Sequence, residues 1–381
     1  MNPSGGDVIV IGAGLIGLTI AFELAERGAG VSIYDRGEPG RGASWAGAGM
    51  LAPYTEGLRK EPLLALCAAS LQQYPAFVER VIAASALDPR LRLEGVVHAA
   101  FDDAEFEALR RHARALEERS VSCRILDRAA LLAAEPWLGA TAVGGLAIDC
   151  EGCVDNRRLG RSLVAACEVR RVRVRNSSAI KVECDGRRVL GVRTDLGFIP
   201  AGAVVNACGA WAAALPGMPA SCVPPVEPVK GQMLALAVPS GFVRRPTWIP
   251  GAYLVPRDDG RLLVGATSEY AGFDERVTAQ AVHQLLHAGL AAAPSLASFS
   301  LTETWAGLRP GTSDGMPCLG PTPVDGLFLA TGHYRNGILL APVTARLIAD
   351  SIERRPVPEL EDFLLARFGT EDARSNRISH A

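Results

Sequence analysis

The chain lacks the features that would tie it to a membrane, a polyanion or a metal. No apolar run in its 381 residues approaches the ~20 needed to span a bilayer. No basic segment followed by a cleavage site precedes the first apolar stretch, so no signal peptide is expected. Charge of one sign is missing too: 39 Lys and Arg face 41 Asp and Glu, a net −2, which removes the electrostatic case for nucleic acid or anionic lipid. One basic cluster exists, Arg170, Arg171, Arg173 and Arg175, and its near-alternation reads as the wet face of a strand. Histidine is scarce, at six. His283 and His287 share a helical spacing but have no third partner, so no metal is expected. The cysteines, nine of them, are odd in number and scattered, and Cys150-Glu151-Gly152-Cys153 has no second pair. Free thiols in a cytoplasmic protein fit best. No Ser or Cys sits in a nucleophile elbow, and no repeat or low-complexity tract is present.

Glycine is plentiful, and its placement is informative. Gly12-Ala13-Gly14-Leu15-Ile16-Gly17 directly follows the apolar run Val8–Ile11. Asp35 lies 18 residues beyond Gly17, at the end of a second apolar run. Strand, glycine turn, helix, strand and acid together form a dinucleotide-binding fingerprint. Gly12 permits a tight turn, Gly14 lets the backbone approach a pyrophosphate, and Gly17 lets helix and strand pack closely. The pyrophosphate would sit at a helix N-terminus, and Asp35, followed by Arg36, would face a ribose. Downstream, Gly40 to Met50 is a run of small residues that includes Ala43, Ser44, Ala46, Gly47, Ala48 and Gly49. Such a segment suits a chain wrapped around a large flat ligand, which favours FAD over NAD.

Periodicity predicts helices at Leu15–Arg27, Glu61–Ala84, Ala104–Arg119, Ala129–Ala134, Thr278–Ala292 and Ile338–Glu353, and one capped by Asp155. Strands are expected at Arg171–Arg175, Ile180–Glu183, Val189–Thr194, Ala203–Ala207, Gln232–Ala237, Tyr253–Pro256, Leu262–Val264 and Leu327–Ala330, with a short helix after Gly209. Prolines from Pro216 to Pro228 suggest a crossing between domains. The expected fold class is α/β: a Rossmann-like cofactor domain, discontinuous over 1–84, 141–222 and 309–365, with an inserted α+β substrate domain on an antiparallel sheet (85–140 and 223–308) and a tail at 366–381.

Two further segments combine glycine with arginine at expected strand ends: Trp305-Ala306-Gly307-Leu308-Arg309-Pro310-Gly311-Thr312 and Thr331-Gly332-His333-Tyr334-Arg335-Asn336-Gly337-Ile338-Leu339. An arginine fork suits a carboxylate, although by residue type alone either arginine could equally pair with a surface acid. With the Gly12–Gly17 turn and the Gly40–Met50 run, these segments resemble the amine-oxidising flavoproteins related to D-amino-acid oxidase, the glycine oxidases most of all. The resemblance runs from the first strand to the last long helix. It implies non-covalent FAD, with Cys318 lying past the position used for covalent attachment in related enzymes. It implies that Arg309 and Tyr253 bind a substrate carboxylate, that Arg335 lies near flavin and substrate, and that His333 to Leu339 run along the flavin. Met50 and Gly209 would lie near the cofactor, and Ala179 would meet its adenosine part. Ser268 would line the substrate pocket where some relatives carry methionine, widening it toward sarcosine and small D-amino acids. The implied reaction is oxidation of glycine to an imine and then glyoxylate and ammonia, with O2 reduced to H2O2. A thiazole synthase of thiamine biosynthesis is the implied partner, in a homo-oligomer. Two alternatives stay open: a dehydrogenase for D-amino acids, sarcosine or proline that passes electrons to a carrier, and a flavin-binding subunit without turnover.

Overall fold

The computed structural model describes residues 7–177 and 180–369. The first apolar run forms the strand Val8–Ile11, every residue of it buried. It sits inside a six-stranded sheet ordered Cys318–Pro321, Leu327–Thr331, Ala203–Asn206, Val8–Ile11, Val31–Asp35, Arg173–Asn176. All neighbours in this sheet are parallel except the Cys318–Pro321 edge. A parallel sheet must bury both faces. One face is covered by the helices Leu15–Glu26, Asn156–Val169 and Ala341–Ile352, whose apolar sides share a core with the long helix Glu61–Ser85. A three-stranded sheet over residues 181–200 covers part of the other face.

The second half is an eight-stranded sheet ordered Ser300–Thr312, Val226–Ala237, Arg261–Gly265, Ala252–Pro256, Thr247–Ile249, Val96–Ala100, Gly144–Ile148, Cys123–Asp127. It is antiparallel apart from the contact of Thr247–Ile249 with Val96–Ala100. The helix Ala279–Ala292 packs on it. A Rossmann-like half joined to an antiparallel half is thus the observed architecture. Among the described residues no helix is long and apolar enough to cross a membrane.

Several elements differ from expectation. The final helix begins at Ala341, not Ile338, because residues 336–340 form hydrogen-bonded turns first. Trp305–Thr312 is the C-terminal end of a long strand, 13 residues from Ser300 to Thr312. Its partner starts at Val226, so Pro228 lies within a strand instead of in a crossing segment. Trp211 lies in a 3-10 turn, Gly209–Ala214. The strands Val96–Ala100, Cys123–Asp127 and Gly144–Ile148 lie outside the expected ones, as do the shorter Thr247–Ile249, Gly197–Pro200 and Cys318–Pro321 and the two-residue strands Met50–Leu51 and Gly152–Cys153. Val96–Ala100, Cys123–Asp127 and Gly144–Ile148 all hydrogen-bond into the eight-stranded sheet, although Gly144–Ile148 falls in the 141–222 piece expected for the cofactor domain. The tail is not wholly separate, since Phe368 packs on Cys318 and Leu329.

Candidate active site

The two halves enclose a cavity of about 1130 Å³. That exceeds the ~300–1,000 Å³ of ordinary small-molecule pockets and suits a dinucleotide with a substrate beside it. Of the residues expected to hold a cofactor, those described line it, with four exceptions. Leu15, Gly17, Asn336 and Leu339 are buried just behind its wall. Ala179 lies outside the described residues.

The glycine turn is built tightly. A Cβ on Gly12 would land on the Ala207 carbonyl, and one on Gly17 on the Gly12 carbonyl. Asp35 reaches across to this turn: its carboxylate accepts from the Ala13 N–H at 2.6 Å and the Gly37 N–H at 2.7 Å. Gly14, the N-cap of Leu15–Glu26, brings no capping side chain of its own. Instead the Leu15 N–H donates to Ser44 Oγ at 2.8 Å, which ties the small-residue wrap to the turn.

Residues that composition did not single out hold the wrap in shape. Asn156 Nδ2 donates to the Ser44 and Trp45 carbonyls at 2.7 and 3.1 Å. The buried Arg257 guanidinium donates to the Ala48 carbonyl at 2.8 Å and to Asn156 Oδ1 at 2.9 Å. Trp305 Nε1 donates to the Ala46 carbonyl at 2.9 Å. Met50 pairs with Cys153 across a short antiparallel bridge. The volume, the glycine cradle and the helix N-terminus beside it fit FAD. The residues around the Gly12–Gly17 turn and the wrap would hold it.

At the other end of the cavity lie Arg309 and Tyr253. They come from strands that flank two central ones, and glycines on those central strands make room for them. A Cβ on Gly231 would strike the Arg309 guanidinium, and one on Gly265 would lie 2.8 Å from the Tyr253 ring. The two side chains therefore lie over a glycine floor. Arg309 Nη1 donates to the Thr267 carbonyl at 3.1 Å and the Lys230 carbonyl at 3.4 Å. Burial raises the Tyr253 phenol above its usual range, and a hydrogen bond and charge from Arg309 offset part of that. Arg335 lies 5.2 Å from the centre of the Tyr334 ring. Burial opposes ionisation of the Tyr334 phenol, but Ser268, Arg335 and Arg309 together hold it below the usual tyrosine range. His333 is buried, bonds Thr344 Oγ1 at 3.1 Å and is pushed by burial down to about 3, so it stays neutral.

Ser268 does not line the wall; it is exposed at the rim, 3.4 Å from the Tyr334 hydroxyl. An acid lines the wall that the sequence reading missed. Glu56 interacts with Arg335 and Arg309, and burial raises its carboxyl above the usual range against their pull. Glu56 follows a turn held by Glu151, which is 0% exposed and accepts from the N–H groups of Tyr54 and Thr55 at 2.5 and 2.9 Å. The Thr55 hydroxyl also donates to it. Burial pushes the Glu151 carboxyl up to about 7, against those bonds. In Cys150–Cys153 the working group is thus the acid; all nine cysteines are unpaired. Among the described residues no cluster of three metal-ligating side chains occurs, and His283 and His287 simply stack.

Known proteins are similar to this chain in sequence and in fold. The chain is 39% identical to a glycine oxidase of Pseudomonas aeruginosa, over 91% of its own length and 95% of that protein's. It is 37% identical to the bifunctional protein ThiO/ThiG of Synechocystis, over 96% of its own length and 54% of that longer chain. Its fold matches the crystal structure of glycine oxidase from Geobacillus kaustophilus with a TM-score of 0.89, at 35% identity, covering 95% of this chain and 98% of that one. Residues 7–351, which hold both sheets and the whole cavity wall, match the FAD dependent oxidoreductase family model, and the chain belongs to that family.

Proposed function

We propose that this protein is an FAD-dependent oxidase of glycine and other small amines that carry a carboxylate. The observation that carries the reading is the pairing of Arg309 with Tyr253 on the Gly231–Gly265 floor, inside the cavity that also holds the glycine turn. A guanidinium fork and a phenol form a carboxylate clamp. Bound FAD would supply the two-electron acceptor for hydride from the substrate Cα and pass the pair to O2. The chain's own task is orientation. Arg309 and Tyr253 fix one end of the substrate. Glu56, the acid among these groups, offers an acceptor toward the amino end. Neutral His333 adds no charge to the wall. Released imine hydrolyses to glyoxylate and ammonia, and the O2 consumed appears as H2O2.

Non-covalent attachment is part of the proposal. It is supported by Cys318, which is buried in its sheet and does not line the cavity. The fusion present in ThiO/ThiG supports supply of the imine to a thiazole synthase, and nine unpaired thiols support a reducing, cytoplasmic setting.

The test is anaerobic mixing of the yellow protein with glycine, sarcosine and D-alanine. Bleaching of the flavin, followed by stoichiometric H2O2 on admission of air, is the expected result. No bleaching with any of the three would overturn the reading. Bleaching without peroxide would make the protein a dehydrogenase.

Two smaller effects are expected. Gly231→Ala places a Cβ on the Arg309 guanidinium and should raise KM for glycine about tenfold by displacing it, a cost of ~1.4 kcal/mol. Unchanged steady-state kinetics would show that the floor does not set the clamp. Glu56 titrates above the ordinary glutamate range, so its charged form is lost at a higher pH than usual as pH falls. kcat/KM should therefore decline on the acid side, and Glu56→Gln should flatten that limb. A limb that persists unchanged in the variant would assign it to another group.

A further inference from the structure

Residues 269–278 leave the eight-stranded half between the strand Arg261–Gly265 and the helix Ala279–Ala292, and they reach the six-stranded half. Their base is anchored. The buried Gln232 side chain donates to Glu269 Oε1 at 2.8 Å and to Thr278 Oγ1 at 3.3 Å, and accepts from the Thr278 N–H at 2.7 Å. Lys230, 1% exposed, places its ammonium 3.7 Å from Asp274. A lysine is almost never so buried without a partner, and this partner sits mid-segment. Next to Asp274 is Phe273. It is 50% exposed, so it is not a core residue. Its ring stacks on Trp211 at 5.5 Å between centroids and 26° between planes. The Arg36 guanidinium lies 4.5 Å from the centre of the same Trp211 ring. Arg36 follows Asp35, Trp211 follows Gly209, and both line the cavity beside the glycine turn.

We propose that residues 269–278 are a clasp that retains the cofactor: Phe273, held by the Lys230–Asp274 contact, presses Trp211 and Arg36 into the wall at the cavity's dinucleotide end. Three stacked layers then join the two halves where the adenosine part of FAD would lie, so the ligand leaves only when the stack parts. This rests on the FAD reading above. Aromatic stacking and cation–π contact lend the layers attraction beyond plain burial.

The experiment compares Phe273→Ala and Asp274→Ala with the wild type. Phe273 is half-exposed, so its loss leaves folding in place, whereas Asp274→Ala strips the buried Lys230 ammonium of its carboxylate and its fold is checked separately by apoprotein melting. FAD affinity of the apoprotein is read by quenching of flavin fluorescence, and FAD release from the holoprotein is read after dilution. Phe273→Ala should weaken FAD binding about five- to tenfold and speed release, and Asp274→Ala should do the same to a smaller extent. Thermal unfolding of the apoproteins is measured alongside. Affinity within twofold of wild type in both variants would overturn the clasp. So would a lowered apoprotein melting temperature with unchanged affinity, because the stack would then only join the halves. Wild-type protein that takes up no FAD would overturn the cofactor reading itself, and the clasp with it.

Discussion

Arg309→Lys is expected to lower kcat/KM for glycine by roughly 30- to 1,000-fold, or about 2–4 kcal/mol, the range for breaking a desolvated charge pair. Flavin content should not change. The geometry explains why a conserved charge is not enough. The Arg309 guanidinium lies flat over Gly231 and already gives Nη1 to the Thr267 and Lys230 carbonyls. Those bonds set the plane of the fork and leave its remaining N–H groups for the ligand. A lysine presents a point charge that reaches less far and has no plane, so it cannot grip two carboxylate oxygens side by side. It would also withdraw the donor from the two carbonyls. Both KM and kcat should suffer, because a tilted substrate is held less tightly and presents its Cα–H less well. Steady-state kinetics with glycine decide the matter. A change within threefold would remove Arg309 from the clamp.

The clamp and the dinucleotide turn differ in how legible they were. The turn is local: Gly12, Gly14, Gly17 and Asp35 lie within one strand–helix–strand unit, so their spacing carries their geometry. The wrap from Ala43 to Met50 was readable as a small-residue segment for the same reason. The clamp is not local. Arg309 and Tyr253 meet only because four strands pair in the order seen, with Gly231 and Gly265 between them. Neither glycine falls in an expected strand: one expected strand begins at Gln232, just after Gly231, and the other ends at Val264, just before Gly265. Residue type left Arg309 undecided, and only resemblance named it. Glu56 was missed because it sits in an irregular turn whose shape depends on Glu151, 95 residues away. Asn156 and Arg257 were missed because one read as a helix start and the other as a strand end, while their work is on the wrap. The unread strands Val96–Ala100, Cys123–Asp127 and Gly144–Ile148 lack the β-branched alternation that marks a half-buried strand. Their stability comes from pairing with one another and with Thr247–Ile249.

Gly14→Val should yield a folded protein that purifies almost without flavin. The three glycines of the turn are not equivalent. Gly12, at φ 110°, and Gly17 leave no room for a side chain, because the protein's own carbonyls occupy the space. Valine at either should disturb the fold itself. Gly14 has φ −70° and ψ 178°, an extended backbone open to any residue. Among the described residues, the one atom that a Cβ there would meet is Ser44 Oγ, at 3.2 Å. The fold therefore has little need of a glycine at this position; the cavity does. A branched side chain would project where the helix N-terminus meets the ligand, and it would crowd Ser44 away from the Leu15 N–H. The loss of fold stability should stay near 1 kcal/mol, the scale of a poor N-cap residue. The loss of FAD affinity should be at least about a hundredfold, or ~2.7 kcal/mol, because a pyrophosphate cannot approach the backbone past a valine. Thermal unfolding of the apoprotein and the ratio of flavin to protein absorbance separate the two effects. Gly14→Val protein that emerges yellow with one flavin per chain would show that the pyrophosphate does not lie at this turn.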